Sequence, residues 1–189
     1  MSEAGIPETA SSSSAPAPGR SFVERVTGVL RLDASAYDEA GADPAALGQA
    51  AAVVLAAAAA GAVSAKGGPF GGPGIAFAFQ VVLYWPMSAL LVWAVGNWFG
   101  HPSQLGRVLR IMGFAMAPLL LSVVNVVPNE WVRVAGALLS TALLIATYVV
   151  GVRQALQTST GRAAFVCLVL LMTIFFIFML TLYFASRSA

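Results

Sequence analysis

The stretch Ser103–Asn129, SQLGRVLRIMGFAMAPLLLSVVNVVPN, decides how the rest of the chain is read. Arg107 and Arg110 open it. From Ile111 to Val127 no residue is charged, and one proline, Pro118, sits inside the apolar run. An uncharged run of that length is close to the minimum that crosses a hydrocarbon core about 30 Å thick. Two long apolar stretches precede it and two follow, so it reads as the middle span of five, at about 44–65, 75–99, 108–127, 131–152 and 163–185. The expected fold class is all-α: a polytopic membrane protein of five transmembrane helices with a short amphipathic segment ahead of them.

Composition agrees. Of 189 residues, 59% are hydrophobic and only 10% charged, against about 25% charged in a soluble domain. The mean hydropathy is +0.83. Five spans and their connections occupy 44–187, which leaves no room for a separate soluble domain. Residues 1–43 hold seven acids against three arginines, whereas the remainder holds seven basic residues against Glu130 alone. That positive excess sits at loop edges, where it orients a membrane protein rather than binding nucleic acid.

Residues 1–20 are rich in Ser, Ala and Pro and lack periodicity, the composition of a disordered tail. The segment 21–43 reads as a cytoplasmic juxtamembrane unit. Ser21 and Glu24 fit a capping box, after which Phe22, Val26, Val29 and Leu30 share one helix face while Glu24, Arg25, Thr27 and Arg31 take the others. Such a helix lies in the membrane interface, or packs on a partner or on the end of the bundle. Asp33 or Ser35 can cap a second short helix through Tyr37 and Glu39, ended by Gly41. Asp43-Pro44 reads as an N-cap with proline at the first helical position of span one, whose many alanines suit the bundle interior. Pro86 interrupts span two.

The chain offers little chemistry. No Asp, Glu, Lys, Arg or His falls at the middle of a span, where proton-coupled transporters and intramembrane enzymes usually place an ionisable group. No catalytic residue, metal site or cofactor site is read. Cys167 and His101 are the only residues of their types, so a Cys/His metal cluster cannot form. The glycine-rich turn at 66–74 has its lysine before the glycines, which fails the phosphate-loop order. Asp33, Asp38, Glu39 and Asp43 lack calcium-loop spacing and read as a solvated surface. Gln80, Asn97, Ser122, Asn125, Ser140, Thr141, Thr147 and Thr173 are polar groups within spans, suited to interhelical hydrogen bonds. A solute path between Pro86 and Pro118 is the sharper alternative. Gly113 and Ala117, four residues apart, form a small pair for close packing. Gly136 and Ser140 of span four are the preferred partner, span two the second choice, with a bend expected at Pro118.

At Gly113-Phe114-Ala115-Met116-Ala117-Pro118 the chain resembles the Yip family, the Ypt/Rab-interacting membrane proteins, which carry a Gly-aromatic-x-x-x-Pro motif in a middle span of five. Arg31 to Ala50 and Arg107 to Pro118 resemble the corresponding segments of bacterial members. The resemblance implies an integral membrane scaffold or partner-binding protein without catalytic residues. Its contacts would be the lipid bilayer and other membrane proteins or further copies of itself. It singles out Gly113, Phe114, Ala117 and Pro118 as motif and packing residues, and Asp33, Tyr37, Glu39, Asp43 and Pro44 as the cytoplasmic approach. Eukaryotic members carry an Asp-Leu-x-Gly-Pro motif that nothing between Asp33 and Pro44 reproduces, which makes Rab binding doubtful here. Nine arginines to one lysine suggest a GC-rich bacterial source. The expected location is the bacterial cytoplasmic membrane, and the basic residues favour the N-terminus inside and the C-terminus outside.

Overall fold

The computed structural model describes residues 19–65 and 68–173, and within them every regular element is helical. The helices are α1 (Phe22–Leu30), α2 (Ala34–Ala42), α3 (Ala46–Ser64), α4 (Gly72–Trp98), α5 (Leu105–Ala115), a 3₁₀ segment (Ala117–Val126), and α6 (Glu130–Leu156). A final apolar helix, α7, occupies Thr160–Thr173. Four units are long and apolar enough to cross a membrane: α3, α4, α6, and α5 with the 3₁₀ segment. The fifth span expected over 163–185 begins as α7, and its part from 174 onward lies outside the described residues, as does most of the expected tail.

α3 and the middle span form the centre. About half of each is buried (44% and 50%), against 22% for α4 and α6. Alanine explains the position of α3, since Ala46, Ala50, Ala57 and Ala58 let neighbours approach its backbone. Gly61 meets the ring of Phe77 on α4, where no side chain would fit. At the N-terminal end of the bundle, Gly96 of α4 accommodates Leu156 of α6. Tyr84 and Tyr148 stack across α4 and α6 with ring centroids 6.1 Å apart. Exposed aromatics mark both ends: Trp98 at one, Phe70 and Trp131 at the other (89%, 91% and 84% exposed), as expected for rings at the headgroup level.

Several sequence expectations need correction. α4 runs unbroken through Pro86. α6 continues to Leu156, one turn beyond 152, and ends on Gln157 in the left-handed conformation (φ 48°). The regular part of α3 starts at Ala46, after a helical Ala45 (φ −68°, ψ −20°). Asp43, extended at φ −85° and ψ 110°, both closes α2 and caps the turn into α3 by accepting the Ala45 amide at 2.9 Å, with Pro44 between them, as the Asp43-Pro44 reading expects.

The middle span differs most. The α-helix ends at Ala115, and ten residues of 3₁₀ follow in place of a bent α-helix. Runs of 3₁₀ beyond 3–4 residues are uncommon. Two features account for this one. Pro118 cannot donate to Phe114 O and its ring crowds that carbonyl. The steeper 3₁₀ rise, about 2.0 Å per residue against about 1.5 Å, also lengthens the unit. Its 22 residues then reach about 36 Å, close to the roughly 40 Å of the 27-residue α4 and α6.

A side-chain carbon at Gly113 would lie 2.8 Å from Ala50 Cβ and 3.0 Å from Trp85 Nε1. Gly113 therefore faces α3 and α4, not span four. Ala50 Cβ cannot rotate away, so Gly113→Leu is expected to lower the melting temperature in detergent by the equivalent of about 3 kcal/mol, the upper end for overpacking. Leu120→Val, at a half-buried position, should change it little; equal melting of the two variants would contradict the close contact.

Candidate functional site

Two polar assemblies are built into the bundle. The first surrounds the break in the middle span. In a 3₁₀ pattern the amide meant for Ala115 O would come from Pro118, which has none. In an α pattern it would come from Leu119, whose N–H donates to Met116 O instead (3.0 Å). Thr147 of α6, fully buried, supplies the missing donor: its Oγ1 lies 2.8 Å from Ala115 O, with Leu144 O at 3.0 Å as the other acceptor for that proton. Ser140 Oγ donates to Pro118 O at 2.8 Å. From the other side, Ser64 Oγ of α3 reaches Ser122 O at 2.7 Å, sharing its proton with Ala60 O. Three hydroxyls thus serve one broken helix. α4 contributes Trp85 Nε1, which donates to Leu109 O at 2.9 Å.

Phe114 and Ala117 are buried in the same core, with Pro118 beside them. Gly136 and Gly151 of α6 extend the contact in both directions. A Cβ on Gly136 would meet Val124 Cγ1, and one on Gly151 would meet Met112 Cε, each at 3.0 Å. Of the groups named from sequence, Ser140 and Thr147 take part. Ser64 was missed because it sits at the end of an alanine run and its acceptor lies 58 residues away.

The second assembly is a cap over the N-terminal end of the bundle. The capping box at Ser21 and Glu24 forms, with Ser21 N–H donating to Glu24 Oε2 at 2.7 Å. Asp33 caps α2 by accepting the Ser35 amide at 3.0 Å. Arg25, assigned by spacing to a polar face, is instead buried, its side chain only 4% exposed. Its Nη2 bonds Asp43 at 2.7 Å and Glu39 at 3.2 Å, and its Nη1 donates to Gln49 of α3 at 3.1 Å. Arg20, read as part of the tail, is tied to Asp33 and Glu39. Tyr37 is buried and donates its hydroxyl to Val29 O at 3.2 Å. Val29 is buried too, while Phe22 and Val23 face outward.

Arg107 and Arg110 do more than orient the chain. Arg107 donates to Asp38 at 2.7 Å, and Arg110 holds Gly41 O at the C-terminal end of α2 at 2.6 Å, a favourable place for a cation. Each acid from Asp33 to Asp43 therefore has an arginine partner, which replaces the reading of a merely solvated acidic surface. Among the described residues, no three His, Cys, Asp or Glu side chains gather where a metal could bind.

Apolar helices of membrane-crossing length with exposed aromatics at their ends define a multi-pass helical membrane protein. A family model described as the Yip1 domain matches residues 27–182, and the chain belongs to the Yip family. No curated protein and no solved structure matches it at a significant level.

Thr147→Val removes the donor to Ala115 O while keeping side-chain volume. It should cost about 1 kcal/mol, in the range of hydroxyl bonds between helices in membranes, and Thr147→Ser should restore most of it. Denaturation in mixed detergent micelles reads both.

The cap should be sensitive to acid. The Arg25 hydrogen bond, with help from the Ala45 amide, holds the Asp43 carboxyl below its ordinary value of 3.8. A group depressed on folding stabilises the fold above its unfolded value and loses that contribution as pH falls through the folded one. Hydrogen exchange over 22–30, corrected for intrinsic rate, should be slow at pH 6 and become faster as pH falls below 3.8 and through the lowered Asp43 value. Asp43→Asn should exchange fast at both; pH-independent protection in the wild type would remove Asp43 from this role.

Proposed function

We propose that this Yip-family membrane protein is a five-span scaffold or partner-binding component without catalytic residues. In this reading α7 continues through 174–185 as the fifth span. The protein sits in a bacterial cytoplasmic membrane with its N-terminus inside and its C-terminus outside, oriented by the basic residues. Gly113, Phe114, Ala117 and Pro118 act as the packing centre. Asp33, Tyr37, Glu39, Asp43 and Pro44 shape the approach to the first span.

The observation that carries this reading is where the polar groups of the spans go. Thr147, Ser140, Ser64 and Trp85 are all spent on backbone carbonyls of the middle span. They hold a body together rather than line a path. A solute route between the second and third spans would have to part Trp85 from both Leu109 and Gly113. The outward surface of the cap, with Phe22 and Val23 exposed, is where a protein partner has room to bind.

A photo-crosslinking residue at Val23 should give a discrete adduct in intact membranes and one at the buried Val29 should not. The same protein in liposomes should raise no flux of small polar solutes. Flux abolished by Gly113→Leu would favour the transport alternative. Reporter fusions after Gly72 and Ala189 should read outside and those after Gly106 and Ser159 inside; the opposite pattern would reverse the orientation.

A further inference from the structure

At the N-terminal end of the bundle, beside the loop that joins α4 to α5, lies a cavity of about 440 Å³ that the scaffold role does not use. Its walls come from the ends of three elements: Phe99 after α4, Leu156 and Thr158 where α6 ends, and Arg162 and Phe165 on the first turns of α7. His101 closes one side. We propose that this cavity binds the phosphodiester of an anionic membrane lipid.

Three observations converge on an anion. Arg162 Nη1 lies 3.1 Å from His101 Nε2. Arginine has only donors, so the imidazole must accept there, which leaves Nδ1–H and four guanidinium N–H groups for something else. Among the described residues no carboxylate pairs with Arg162; the ion pairs belong to Arg20, Arg25 and Arg107. The Thr158 hydroxyl is buried without a hydrogen-bond partner, although buried polar groups are almost always paired. Across the 101–104 loop, in a neighbouring cavity of about 350 Å³, Ser103 Oγ and Arg107 Nε are also buried and unpartnered.

Two further features select a lipid. The remaining wall is apolar, with Phe99, Leu156, Phe165 and Val166 beneath the polar rim. The site also lies where the spans end, next to the exposed Trp98, the depth of headgroup phosphates. An almost wholly apolar cavity of about 300 Å³ follows along α7, bounded by Leu144, Cys167 and Leu168, and can take an acyl chain. The single guanidinium of Arg162 matches a single negative charge. Arg153, which reaches Thr160 at 3.5 Å, adds positive potential that disfavours a choline headgroup.

The test uses the full chain purified in neutral detergent, offered equal phosphatidylglycerol and phosphatidylcholine, with retained lipid counted by native mass spectrometry. The wild type should keep one phosphatidylglycerol with at least fivefold preference. Arg162→Gln, His101→Gln and Thr158→Val should each cut that preference at least threefold, with unchanged melting temperatures showing that the fold survives. Arg133→Gln, at the opposite end of the bundle, should leave it intact. No preference in the wild type, or a preference that all three variants retain, overturns the proposal. Displacement of the lipid by millimolar glycerophosphate or inorganic phosphate would show a site for free phosphate and overturn the lipid assignment.

Discussion

A carbonyl that cannot find an amide is a local problem in water and a severe one in hydrocarbon. In a bilayer every backbone polar group must be answered from within the protein. Pro118 creates that problem at the centre of this molecule, since Ala115 O loses the donor that either helical pattern would supply. Much of the packing follows from the answer. Thr147 must face Ala115 and Ser140 must face Pro118, which fixes the rotation of α6. Ser64 must reach Ser122, which sets the height of α3. Gly113 then determines how close α3 and α4 come. The middle span thus changes from α to 3₁₀ at its centre, and its neighbours supply the hydrogen bonds that complete it.

The cap works on a different principle. α1 and α2 have nine residues each, too few to be stable alone in water. They are held by charges placed against helix ends and against each other. Arg25 is the hinge of this arrangement, joining α1 to Asp43 at the α2–α3 turn and to Gln49 on α3. Burial disfavours its charge, but the hydrogen bonds to Asp43 and Glu39 outweigh that and raise its pKa. Losing one partner leaves a charge with poor solvation, so the cap is expected to open as a unit rather than fray.

For a Yip-family protein these two assemblies divide the surface in an informative way. Thr147, Ser140, Ser64 and Trp85 are committed to carbonyls of the middle span. The cap presents Phe22 and Val23 outward. Near His101 and Arg162, at the membrane boundary, the Thr158 hydroxyl is left without a partner.

Much of this was legible in the chain. The uncharged run from Ile111 to Val127 and its neighbours determined a helical membrane protein, because hydrocarbon admits few alternatives to long apolar helices. The Ser21 capping box was readable because its two residues meet within one turn. Even the inward face of α6 was present in principle: Gly136, Ser140, Thr147 and Gly151 fall within about 60° of one another around a helix of 3.6 residues per turn, a stripe of small and hydroxyl residues. What spacing could not reveal was which neighbour each group would meet. Arg25 sits on a polar helical face by periodicity, yet acids 14 and 18 residues away draw it inside. Pro86 and Pro118 look alike in sequence, but one stays within a continuous helix and the other forces a change to 3₁₀. The difference lies in the span lengths to be matched and the hydroxyls available nearby. Those are properties of the assembled bundle, so the tertiary structure alone decided them.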